Sequence, residues 1–83
     1  TKPLTGHTLA AAGALEAAMA WHVLQHNPQG RLPVHWWDGK ADAALPALNV
    51  VSSGMQLGRA PRAVLSNSFA FGGSNCALLL EAA

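Results

Sequence analysis

Residues 8–26 read TLAAAGALEAAMAWHVLQH, while residues 63–69 read AVLSNSF and residues 75–81 NCALLLE. The first stretch is rich in Ala, Leu, Met, Glu and Gln, which lose little freedom on entering a helix, and it meets no proline before Pro28. It predicts a helix over about 8–26, capped by Thr5 or Thr8 and ended by Asn27-Pro28. Leu15, Met19 and Val23 recur at i, i+4 and i+8 as a core stripe, but the other faces carry alanines where a surface helix carries Lys and Glu. Such a helix expects cover nearly all round. Gly13 in mid-helix costs about 1 kcal/mol relative to Ala, which predicts another backbone passing close by. The later stretches read as two strands joined by a Gly-rich turn over 70–74, hence a hairpin. Its nearly continuous apolar run Ala77-Leu78-Leu79-Leu80 predicts cover on both faces. One long buried helix followed by a β-hairpin in a mixed sheet is an α/β arrangement.

Between helix and hairpin, Pro28, Gly30, Pro33, Asp38-Gly39 and Pro46 mark a long surface connection. Trp36-Trp37 lie in it and are expected to pin the loop onto the protein body rather than to form a ligand platform. Residues 48–52 predict a short strand and 54–61 a further connection.

The chain has 83 residues, of which 51% are hydrophobic and only 11% charged, against about 25% charged in an ordinary soluble chain. A small domain leaves roughly 40% of its unfolded surface in water, so so few charges read as the interior of something larger. The net charge of +1 argues against nucleic acid or an anionic membrane, which need a concentrated basic face. The lone Cys76 has no internal disulfide partner, which fits a reducing compartment, and its place in an apolar strand predicts a small buried thiol. The start of the chain does not read as a signal peptide, and the alanine-rich run carrying Glu16 and His22 is short for a bilayer.

Two groups of residues could carry chemistry. Glu16, a charge among alanines, requires a cation, and Lys2 and His7 are the nearest in sequence. A histidine beside an ammonium is disfavoured as imidazolium, and a neutral imidazole donates from Nε2 to a carbonyl or an oxyanion. The residues alone equally allow a frayed Lys2, a helix-entry His7 and a solvated Glu16. The second group is residues 67–75, NSFAFGGSN. Its paired glycines permit positive φ, and Phe71 beside them could swing as a gate; an ordinary hairpin turn with a packed aromatic fits as well. His22 and His26 stand at i, i+4 without an intervening Glu or a third ligand, so no metal is expected.

Residues 2–17, KPLTGHTLAAAGALEA, closely resemble the segment around the second active-site histidine of the β-ketoacyl-acyl-carrier-protein synthases, and residues 67–75 resemble their C-terminal Phe-Gly-Phe-Gly-Gly-Thr-Asn loop. The two motifs occur in the family's order. Ala10 and Ala70 stand where glycine is usual and Ser74 where threonine is, none of which removes a charge or a proton carrier. The resemblance implies that residues 1–83 are the C-terminal part of a thiolase-like fold whose upstream part is absent, and that they do not fold autonomously. It further implies a 3-oxoacyl-acyl-carrier-protein synthase, an acyltransferase condensing an acyl thioester with malonyl-carrier protein by decarboxylative Claisen chemistry, in fatty acid, polyketide or aryl polyene biosynthesis.

On this resemblance His7 is the second histidine, stabilising the thioester enolate, with Lys2 orienting it and Glu16 as buried counter-ion. Phe71 is the gate, and Phe69, Gly72, Gly73 and Asn75 belong to the loop near the nucleophile. No metal or redox cofactor is implied. The partners implied are acyl carrier protein, acyl and malonyl thioesters, the missing N-terminal part, and a second synthase chain or a chain-length factor, in the cytoplasm and without nucleic acid or membrane. The nucleophilic cysteine and first histidine are expected upstream, so Cys76 is no substitute and the segment alone is expected to be inactive. The alternative readings are a non-catalytic, chain-length-factor-like partner and a stand-alone binding module. Arg59-Ala60-Pro61-Arg62 could touch an acidic carrier protein but reads first as a solvated turn.

Overall fold

The alanine-rich stretch becomes regular helix only from Ala12. In the computed structural model, which describes residues 1–70 and 72–83, a 3-10 turn over Leu9–Ala11 leads into helix α2 (Ala12–Leu24). Leu9 takes the left-handed φ of 52°, which keeps the preceding residues out of the helix. The chain starts with a one-turn helix, α1 (Lys2–Thr5), with its proline in the first turn, where the missing N–H is harmless. Neither threonine caps α2: Ala11 holds the N-cap position, and the Thr5 hydroxyl donates to the Gly6 carbonyl instead. The helix also ends before residue 26, because Gln25 turns extended and His26 takes φ 43°. Asn27 secures that end. Its Nδ2 donates to the Val23 and Arg31 carbonyls, both at 2.9 Å, and its Oδ1 accepts from the Arg31 N–H at 2.8 Å.

The hairpin has the bounds the sequence predicts. Strands β1 (Ala63–Phe69) and β2 (Asn75–Glu81) pair antiparallel, from Ala63 opposite Glu81 to Phe69 opposite Asn75. In the turn Gly72 adopts φ 61°, which L side chains rarely tolerate. Alternation puts Val64, Ser66 and Ser68 on one face with Leu80, Leu78 and Cys76, and Leu65, Asn67 and Phe69 on the other with Leu79, Ala77 and Asn75. The first set in β1 is half-buried, and α2 packs over it. The close neighbour of Gly13 is therefore a side chain and not a backbone: a Cβ there would lie 3.2 Å from Ser68 Oγ.

Helix α2 covers β1 and reaches β2 less. Among the described residues only Ala12, Ala20, Gly30 and Pro61 are buried, so the helix expected to be buried all round is mostly half-exposed within this chain. The expected cover on both faces of the strands is likewise missing here, since Leu65, Leu79 and Phe69 are exposed on the face away from α2. Cys76 is exposed rather than buried, because it sits on β2, beyond the helix's main footprint.

The connection is tied together where the sequence did not indicate it. Residues 48–52 form no strand, as neither β1 nor β2 pairs with them. Instead Arg31 and Gln56 form an antiparallel bridge, flanked by Leu57 N–H to Gly30 O at 2.9 Å and Gly58 N–H to Gln29 O at 3.0 Å. Buried Gly30, at φ 66°, makes this crossing possible: a Cβ on it would sit 2.3 Å from the Arg59 carbonyl oxygen and 2.6 Å from Leu57 Cβ. Within the excursion, Asp38 and Asp42 accept from the Lys40 and Ala44 N–H groups, both at 2.9 Å, as Asx-turns do. Trp36 and Trp37 are exposed and do not pin the loop; Trp37 packs on His35, ring centroids 5.4 Å apart. No helix among the described residues is long and apolar enough to cross a membrane.

Two substitutions test this packing. Gly30→Ala meets both a positive φ and a backbone oxygen, so it lowers stability by about 2–3 kcal/mol, read as a drop in thermal midpoint of the intact protein. Gly13→Ala stabilises by about 1 kcal/mol only when Ser68→Ala has removed the opposing hydroxyl, and by less on its own; denaturant titration of both backgrounds measures the difference.

Candidate functional site

The one-turn helix α1 brings Lys2 beside the first turns of α2, and its Nζ lies 3.1 Å from Glu16 Oε1. Glu16 was expected as a buried counter-ion; its side chain is 27% exposed and that of Lys2 53%, so water shares the pair. Among the described residues the elements packed on α2 are the chain start and the hairpin, and they leave the carboxylate only partly desolvated. An ion pair this exposed contributes about 0.2–1 kcal/mol, so its larger effect is to hold the ammonium in one place.

The pair borders a cleft of about 490 Å³. One wall is the α2 stripe that includes Met19 and Val23, another is the segment from Leu32 to His35, and the third is β1 from Val64 to Asn67. The lining is chiefly apolar, and Thr1, Lys2, Glu16, His35, Ser66 and Asn67 contribute its polar groups. The two motifs, far apart in sequence, thus converge: Lys2 and Glu16 from the first share a cleft with Asn67 from the second.

His7 stands apart from that convergence. It follows Gly6, which turns the chain at φ 72°, and it is exposed and outside the walls of the cleft. The structure therefore joins two of the three residues grouped from the sequence and leaves His7 facing solvent. In the hairpin loop Gly72 has the conformation that requires glycine, Gly73 and Asn75 are exposed, and Phe69 is 77% exposed. Phe71, expected as the gate, lies outside the described residues. His35 was not foreseen, and no spacing signals it, since it reaches the cleft only through the turn set by Asn27 and Gly30.

By sequence, and not by this geometry, the chain corresponds to a segment of a β-ketoacyl-acyl-carrier-protein synthase. Over 81 residues, 98% of its length, it is 36% identical to 3-oxoacyl-(acyl-carrier-protein) synthase 1 of Escherichia coli strain K12, and the same figures hold for the protein of that name in Escherichia coli strain CFT073. The chain spans 19% of the length of each of these relatives. No family model and no solved structure matches it.

A double-mutant cycle with Lys2→Ala and Glu16→Gln measures the pair. The expected coupling is below about 1 kcal/mol in chemical denaturation, and a markedly larger value would mean that the intact protein buries the pair far more deeply.

Proposed function

We infer that the chain is the segment of a 3-oxoacyl-acyl-carrier-protein synthase that supplies the second histidine and the closing loop of the active site. The observation that carries this reading is the meeting of Lys2, Glu16 and Asn67 at one cleft, in a chain 36% identical to such a synthase over nearly its whole length. The domain it belongs to is thiolase-like, and the reaction serves fatty acid, polyketide or aryl polyene synthesis in the cytoplasm. Its partners are acyl carrier protein and a second synthase or chain-length-factor chain.

In the condensation, the bond between the malonyl carboxylate and its methylene carbon breaks, carbon dioxide leaves, and the electron pair moves onto the thioester as an enolate. His7 donates a hydrogen bond from Nε2 to that oxyanion, a role suited to an exposed imidazole that a substrate can approach. The enolate carbon then attacks the acyl thioester held on a cysteine outside these residues, and the cysteine leaves as thiolate. Lys2, held by Glu16, orients the histidine's surroundings without itself exchanging a proton. Gly72 and Gly73 let the hairpin loop close toward the nucleophile, with Phe71 as its gate and Phe69 and Asn75 fixing the loop's two ends. Without the nucleophile the segment by itself has no condensing activity.

His7→Ala in the full-length protein is the test. Loss of one oxyanion donor is expected to lower condensation and malonyl decarboxylation by about 10²–10³-fold while acyl transfer to the cysteine persists. Unchanged condensation in a radiolabelled malonyl assay would overturn the assignment.

A further inference from the structure

A second cleft, of about 410 Å³, opens at the far end of α2, where the helix gives way to the connection. It shares Met19, Val23, Leu32 and Pro33 with the cleft beside Lys2 and Glu16, so the two adjoin along one apolar wall. Its polar groups are different ones. His22, His26 and Arg31 line it, all three exposed, and among the described residues no Asp or Glu does. Among those residues the one ion pair is Lys2 with Glu16, and Arg31 forms hydrogen bonds only through its backbone, which leaves the three side chains unengaged. Their course is nonetheless set. Asn27 bonds both the N–H and the carbonyl of Arg31, His26 is turned at φ 43°, and the Trp21 ring meets that of His22 edge-on with centroids 5.3 Å apart.

We propose that this cleft binds an aliphatic carboxylate, with its head on Arg31, His22 and His26 and its chain along Met19, Val23, Leu32 and Pro33. The proposal goes beyond the synthase reading and does not rest on it. A guanidinium takes a carboxylate through two parallel hydrogen bonds, and an imidazole adds an N–H donor in either charge state. The cleft's volume falls within the ~300–1,000 Å³ of small-molecule pockets, whose usual make-up is an apolar lining with a few convergent polar groups. The negative end of a helix opposes an anion by about 0.3–1 kcal/mol, but two of the last carbonyls of α2 are already occupied. His22 O accepts from the Gln25 N–H at 3.1 Å, and Val23 O from Asn27 Nδ2 at 2.9 Å. A metal ion is the poorer occupant. Because α2 stops at Leu24, His22 and His26 do not stand one turn apart on a helix, and no third ligand joins them among the described residues.

Isothermal titration calorimetry of the full-length protein with octanoate, octanol and acetate is the test. Octanoate is expected to bind ~10-fold tighter than octanol, which lacks the charge, and at least ~10-fold tighter than acetate, which lacks the chain. The variant H22A/H26A/R31Q is expected to weaken octanoate binding ~10-fold and to leave octanol binding unchanged, the second result showing that the cleft is still formed. K40Q removes a charge elsewhere and is expected to alter neither. Octanoate held as tightly by the triple variant as by the wild type overturns the proposal, because the ligand then sits elsewhere; the synthase reading, which condensation tests, is untouched by that result. Octanol or acetate binding as tightly as octanoate overturns it as well, as does a loss in K40Q equal to that in the triple variant, which would reveal a response to net charge alone.

Discussion

The distance between α2 and β1 is set where Gly13 faces Ser68. A Cβ at Gly13 would stand 3.2 Å from the serine oxygen, tighter than ordinary contact, so glycine lets the helix settle close onto the strand. That closeness brings Glu16, one turn further along, level with the edge of β1, and Lys2 then reaches it from α1. The cleft they border with Asn67 follows from the same approach. A residue larger than alanine at position 13 would push the helix outward and separate the two halves of the site, even though it touched neither charge.

The second constraint is the crossing at Gly30. Asn27 ends the helix by satisfying the Val23 carbonyl and then folds the next turn onto itself through Arg31. Gly30 passes so close to Arg59 and Leu57 that any side chain would collide. These two residues decide where the long connection returns, and they bring both His35 to the cleft and Arg31 to Arg59. A segment with little regular structure thus has a definite course because a few polar and steric requirements are met at its base.

The hairpin was legible to the residue because alternation and the Gly-Gly turn are local signals that need no partner. The helix was legible in its middle but not at its ends, where Leu9 and His26 adopt left-handed conformations that propensity disfavours. The pairing of Lys2 with Glu16 followed from the cost of a lone carboxylate among alanines, a rule that holds whatever the fold. The Arg31–Gln56 bridge was not legible, since an isolated bridge leaves no periodicity and the strand-like residues nearby, 48–52, are the ones that stay unpaired. The exposure of Cys76 also escaped the pattern, because an apolar run records what a strand is suited to and not which neighbours this stretch of chain itself provides.

The bridge also bears on the order in which the parts assemble. Helix and hairpin are joined by the whole stretch from residue 25 to 62, so their contacts are distant along the chain, the kind that slows folding. Closing the excursion first, at Arg31 and Gln56, removes most of that length from the second closure. Each doubling of a flexible loop adds only about 0.6 kcal/mol, so the thermodynamic gain is small. The kinetic consequence is larger: once the bridge has formed, α2 and β1 search for each other as though a short tether joined them.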